Sequence, residues 1–286
     1  VMITCGGQQA ILLTMKAVLE PGDEVLLPSP GYGLYYNCAA IADARVRAYA
    51  LKAPDFGWGG AEAGERTKML FINSPHNPTG AVLSKEELGQ IADFAKANNL
   101  LVVSDEAYDR LLYDGLEHRS IASEPGMRDR TVILGSFSKT YSMTGWRIGF
   151  VAAPVEIVDR MTKCQENFNA CANAPGQYAA TVALDHPELC EELRQVFERR
   201  RSILLDGLAK IDGIRCNRPN GAFYVFADIS SFGLSSVEFC NRLLDEQKVV
   251  CIPGSAFGEC GEGFIRIAYT CSDDNLREAL RRIDTF

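Results

Sequence analysis

The sequence predicts an α/β protein: a large domain whose mostly parallel sheet is sandwiched by helices, then a smaller C-terminal α+β domain. Three observations carry that prediction. Short apolar runs such as Lys68-Met-Leu-Phe-Ile-Asn73 and Leu100-Leu-Val-Val-Ser104 have the length and texture of strands buried on both faces. Segments of helical periodicity lie between such runs, the pattern of strands joined by crossover helices. From Pro187 onward the texture changes to a long charged helical stretch and then to strands of mixed character. The predicted division is therefore residues 1–186 for the large domain and 187–286 for a long linking helix with the small domain.

The elements follow in order. Val1-Met-Ile-Thr-Cys-Gly-Gly reads as a strand entering a tight turn, so an N-terminal segment is expected to precede it and to be lacking here. Gln8 to Leu19 carries Ile11, Leu12, Met15, Val18 and Leu19 at helical spacing and stops at Pro21-Gly22. Glu24 to Pro28 and Lys68 to Asn73 are strands. Ser84, with Glu87 three residues on, is a capping box, and Ile91, Phe94 and Ala95 form that helix's inner face. Leu100 to Ser104, Thr131 to Gly135 and Trp146 to Ala153 complete the first sheet. The charged helix runs from Pro187 to about Ile211. A strand at Ala222 to Ile229, a helix near Val237 to Gln247, strands at Val249 to Ile252 and Phe264 to Tyr269, and a helix from Ser272 close the chain.

The totals exclude several classes. With 29 Lys and Arg against 37 Asp and Glu, the net charge is −8, and such a surface repels nucleic acid. No apolar run is long enough for a membrane span and no basic n-region precedes one, so a soluble, cytoplasmic protein is expected, without a membrane partner. The ten cysteines lack CxxC spacing and read as free thiols, most of them packed as small apolar side chains. Three scattered histidines suggest no metal site.

Four unusual clusters each fall just after a strand, where open parallel sheets bind ligands. Gly6-Gly7-Gln8 offers free backbone amides at a helix start, suited to an anion, although a plain tight turn has the same composition. Asn73-Ser-Pro-His-Asn-Pro-Thr-Gly80 is a rigid turn in which Asn77, before Pro78, can aim its amide at a ligand; His76 reads as structural. Asp105 is either a helix N-cap or a carboxylate for a cationic ring nitrogen, with the Tyr108 hydroxyl on the same side. Ser136-Phe-Ser-Lys139 with Arg147 combines hydroxyls, an amine and a fixed cation; Lys139 is either a solvated loop lysine or a nucleophile. Arg266, between Ile265 and Ile267, either faces outward or reaches inward for a carboxylate.

Taken in order, NSPHNPTG, VSDEAYDRLLY, SFSKTYSMTGWRIGF, NGAFYVF and IRIAYT resemble the pyridoxal-phosphate-dependent aminotransferases of fold type I, class I/II, related to aspartate aminotransferase. The resemblance runs from Ile3 to the C-terminus and makes residues 1–186 a cofactor-binding domain. It implies that Lys139 is the Schiff-base lysine, that Asp105 pairs with the pyridine nitrogen, and that Tyr108 and Asn77 donate to the ring's phenolic oxygen. Gly7, Gln8, Ser136 and Arg147 fall at phosphate-cup positions, with Gly6 and Ser138 beside them. Tyr32 sits where an aromatic ring stacks on the cofactor, and Arg266, with Asn77, where the substrate's carboxylate is bound. The implied reaction moves an amino group from an L-amino acid to a 2-oxo acid such as 2-oxoglutarate, in a homodimer. The chain lacks residues that the family carries before Val1, so it is expected to bind cofactor but to transaminate weakly. Two other functions share these residues: a carbon–sulfur β-lyase, and the aminotransferase-like domain of a transcription regulator.

Overall fold

The computed structural model describes residues 1–286. Seven strands build the first sheet: β1 (Met2–Thr4), β2 (Glu24–Ser29), β3 (Arg45–Ala50), β4 (Thr67–Asn73), β5 (Leu101–Asp105), β6 (Thr131–Ser136) and β7 (Gly149–Ala152). Their spatial order is β1-β7-β6-β5-β4-β2-β3. The pairs from β3 through β6 are parallel, whereas β7 is antiparallel to both β6 and β1.

Alternation along the strands builds two cores. Leu27, Met69, Val103 and Val132 pack with Leu13 and Met15 of α1 (Gly6–Val18). Their neighbours Leu26, Leu70 and Val102 face the opposite way, onto Leu88 and Ile91 of α3 (Lys85–Ala97). Each such side chain contributes about 1.5–3 kcal/mol on burial. The predicted capping box is present: the Ser84 amide donates to Glu87 Oε2 at 2.8 Å, and the Glu87 amide to Ser84 Oγ at 3.2 Å.

The second sheet is antiparallel, in the order β10-β11-β9-β8, from β8 (Arg215–Cys216), β9 (Tyr224–Asp228), β10 (Ile252–Pro253) and β11 (Phe264–Ala268). It packs Val225, Ile265 and Ile267 with Leu204 of α7 (Glu188–Leu208), Phe239 of α8 (Ser236–Gln247) and Leu276 of α9 (Asp273–Asp284). Arg201 of α7 is buried to 1% exposure. Its guanidinium donates to both oxygens of Asp114 at 2.8 and 2.9 Å and to the Pro219 carbonyl at 2.8 Å, and it stacks 4.4 Å from the Tyr113 ring.

Some expectations need correction. The fifth predicted strand is shorter, because Thr144–Trp146 forms a 3-10 turn and Arg147 is left-handed, with φ of 55°. Of the predicted strand at 249–252 only Ile252 pairs, together with Pro253 beyond its end. Helix α1 begins at Gly6 rather than Gln8. Six helices and strands lie outside the predicted set: β3, β8, α2 (Gly33–Ile41), α4 (Phe137–Thr140), α5 (Val155–Asn169) and α6 (Ala174–Leu184). All the cysteines are unpaired, but only Cys38, Cys190, Cys240 and Cys251 are buried, so fewer of them are packed than expected. No helix is long and apolar enough to cross a membrane.

Candidate active site

The exits of β1, β4, β5 and β6 share one edge of the first sheet, since β1 and β6 are each antiparallel to the strand between them. Because β7 runs the other way, its entrance lies on that same edge and brings Arg147 there. The edge opens on a cavity of about 300 Å³. Every predicted site residue lines it except Gly6, which lies directly behind Arg147.

One corner is built for an anion. Helix α1 points its first turn into the cavity through Gly7 and Gln8; no side chain caps that turn and no acidic residue lies in it. Gly6 has φ of 79°, and a Cβ there would stand 2.6 Å from Arg147 Nη2, so only glycine leaves the guanidinium its place. Arg147 donates to the carbonyls of Thr144 at 3.0 Å and Cys5 at 3.4 Å and has no carboxylate partner. Ser136 caps the short helix α4 (Phe137–Thr140), its Oγ accepting from the Ser138 amide at 3.2 Å.

Lys139 therefore stands on a helical turn and not in a loop. It is half-buried, and burial lowers its pKa, assisted by the charges of Arg147 and Arg266. It forms no ion pair. The solvated-loop reading falls, because the side chain lies on a helical turn and lines the cavity half-buried.

Asp105 ends β5, and no helix follows it, so it is not an N-cap. Asp105 is 8% exposed, and its carboxylate accepts from the Tyr35 hydroxyl at 2.7 Å and the Ala107 amide at 3.1 Å. Burial raises its pKa, while those two hydrogen bonds pull the other way. A buried carboxylate with only neutral partners is a place for an external cation. Tyr108 lines the same cavity, its hydroxyl 2.9 Å from that of Tyr224.

The orientation of Arg266 is settled inward. Its guanidinium lies between the rings of Tyr224, at 4.4 Å, and Phe257, at 4.8 Å, and Nη1 donates to Asn77 Oδ1 at 2.9 Å. Asn77 is held in turn, its amide donating to Asn73 Oδ1 at 2.8 Å. Tyr32 accepts from Gln8 Nε2 at 3.2 Å. His76 sits outside the cavity, bonded to Thr79 Oγ1 at 2.8 Å and pushed down to about 3 by burial, in keeping with a structural role.

Sequence reasoning missed Tyr35, Asn73 and Tyr224. The first two support Asp105 directly, since Asn73 Nδ2 also donates to the Asp105 carbonyl at 2.9 Å. Tyr35 lies one helical turn beyond Tyr32, and Asn73 opens the octapeptide already singled out, so both carried a signal.

The family model for aminotransferase class I and II matches residues 1–283. An aspartate aminotransferase of Pyrococcus abyssi is 42% identical over 99% of this chain and 75% of its own length. A putative aminotransferase of Bacillus subtilis is 41% identical over the whole chain and 75% of its own length. The crystal structure of an aromatic aminotransferase from Pyrococcus horikoshii superposes with a TM-score of 0.95 at 40% identity, covering 99% of this chain and 78% of that one. The chain belongs to the class I and II aminotransferases. It is a pyridoxal-phosphate-dependent transaminase acting on amino acids and 2-oxo acids. The donor set fits that cofactor: an uncapped helix start with Arg147 for a phosphate, a buried carboxylate for a ring nitrogen, and a half-buried amine between them.

Proposed function

We propose that Lys139, Asp105 and Tyr108 carry the chemistry of amino-group transfer in this cavity. One observation supports this above the others. In a chain of net charge −8, three cations without carboxylate partners, Lys139, Arg147 and Arg266, converge on one cavity with a single buried carboxylate, Asp105. Pyridoxal phosphate supplies an electron sink that makes the amino acid's Cα proton acidic. Arg147, the amides of Gly7 and Gln8, and Ser136 would hold its phosphate, with Gly6 and Ser138 beside them. Asp105 would keep a proton on the ring nitrogen, Tyr108 and Asn77 would donate to the ring oxygen, and Tyr32 would cover the ring. Arg266, held by Asn77, grips the substrate's carboxylate and so aims Cα at Lys139. The Lys139 amine, its proton affinity lowered by burial, would take the proton from the donor amino acid's Cα and, in the second half of the reaction, deliver one to the α-carbon of the acceptor 2-oxo acid.

The same reading divides the chain at residue 187, so that Arg266 comes from the small domain and the cofactor residues from the large one. We take 2-oxoglutarate as the acceptor, in line with the relatives named aspartate aminotransferase. A homodimer is favoured by the exposed apolar side chains Phe168, Tyr178 and Val182 of α5 and α6. Borohydride reduction of the yellow, cofactor-loaded protein, followed by peptide mapping, tests the central assignment. The chromophore is expected on Lys139; its absence there overturns the reading.

A further inference from the structure

The segment Asn220-Gly-Ala-Phe-Tyr-Val-Phe226 has no part in the roles above, yet it places Tyr224 in the cavity wall. Strand pairing sets Arg266 opposite Phe226 and Ala268 opposite Tyr224, so Tyr224 and Arg266 are diagonal neighbours on one face. The ring of Tyr224 lies under the guanidinium at 4.4 Å, and its hydroxyl stands 2.9 Å from that of Tyr108. Neither hydroxyl has another hydrogen-bond partner in the protein. Burial raises the pKa of both phenols, so each keeps its proton.

A phenol holds one proton. If Tyr108 spends it on the cofactor's ring oxygen, its own oxygen can only accept, and the one donor within reach is Tyr224. Hydrogen bonds in series polarise one another, so the first strengthens the second. We propose that Tyr224 is a positioning residue that donates its hydroxyl proton to Tyr108 and makes Tyr108 a stronger donor toward the cofactor. The inference rests on the role given to Tyr108 above. It also makes β9 and β11 part of the cofactor's electronics, since one side chain touches both Tyr108 and the carboxylate-binding arginine.

The test is a pH titration, by absorption spectroscopy, of the cofactor-loaded chain and of its Tyr224→Phe, Tyr108→Phe and doubly substituted variants. A donor at the ring oxygen stabilises the deprotonated chromophore, so losing it raises the midpoint. Tyr108→Phe is expected to raise the midpoint most, and Tyr224→Phe by about half a unit to one unit. The double variant is expected to match Tyr108→Phe alone. A midpoint unmoved or lowered in Tyr224→Phe, beside a raised one in Tyr108→Phe, overturns the relay and leaves Tyr108's role standing. Midpoints unmoved in both variants refute the role of Tyr108 and the relay with it. Phenylalanine keeps its ring under Arg266, so calorimetric binding of succinate to Tyr224→Phe is expected to be unchanged; a marked loss would show that Tyr224 acts through Arg266 and would overturn the relay.

Discussion

Two arginines in this chain sit 4.4 Å over tyrosine rings, and they differ in what faces them. Arg201 meets a carboxylate inside the protein, Asp114, on both of its oxygens, and takes a main-chain carbonyl as well. Arg266 meets only the amide oxygen of Asn77. The first is neutralised by the fold and ties α7 to the segments before and after it. The second is stacked and aimed but not neutralised. In the proposed function that missing anion is the substrate's carboxylate, and Lys139 and Arg147 likewise lack a carboxylate partner beside it.

If that contrast is sound, cations of the cavity can be removed at little cost in stability and those of the frame cannot. Lys139→Ala should lower turnover at least about 10²–10⁴-fold, with a melting temperature equal to or above wild type; a destabilised variant of normal activity would break the comparison. Asp105→Asn should weaken cofactor binding by about 1.5–3 kcal/mol, read as a dissociation constant by fluorescence quenching. Asp114→Ala leaves the buried guanidinium with only Glu198, at 3.7 Å, for a carboxylate and should cost roughly 2 kcal/mol in urea unfolding, a figure discounted because the Asp114 side chain is itself 39% exposed. Arg266→Lys keeps the charge but loses the fork, and should raise KM for the amino acid about tenfold with little change in unfolding.

The smallest effect is in the acid dependence of stability, where the two aspartates have opposite signs. Arg201, and then Arg218, hold the Asp114 carboxyl well below the usual carboxylate range. Its contribution is therefore present above the unfolded value near 4 and is lost as pH falls below it. Asp105 is raised, so its charge costs stability above its folded value, and that cost disappears as pH falls through it. In the cofactor-free protein, Asp105→Asn should raise the melting temperature at neutral pH and Asp114→Ala should flatten the acid limb. Thermal melts between pH 3 and 7 would reveal either sign reversed.

The cavity-lining residues that were legible in the sequence are those set in an uncommon local composition. Gly6-Gly7, Asn77-Pro78, Asp105 and Ser136 to Lys139 all lie at or just after the ends of strands, and those strand exits share an edge. What stayed hidden depends on tertiary proximity. Tyr35 and Tyr224 look like any buried aromatic until their hydroxyls are seen to meet Asp105 and Tyr108. Strand β3 (RVRAYA) is mostly exposed at a sheet edge and lacks the continuous apolar run used to find the others. In α6 the run of alanine and small residues gives little amphipathic contrast. The reversed direction of β7 leaves no trace in periodicity, because parallel and antiparallel strands alternate alike.

That reversal sets a tolerance. Gly149 pairs with Ser136 on one side and Thr4 on the other, so the place of Arg147 is dictated by main-chain ladders. Sliding β7 by a single residue would drag the guanidinium about 3.3 Å and turn the strand's side chains over. Loop mutations can therefore be absorbed near this corner, whereas a one-codon insertion within the strand would silence it.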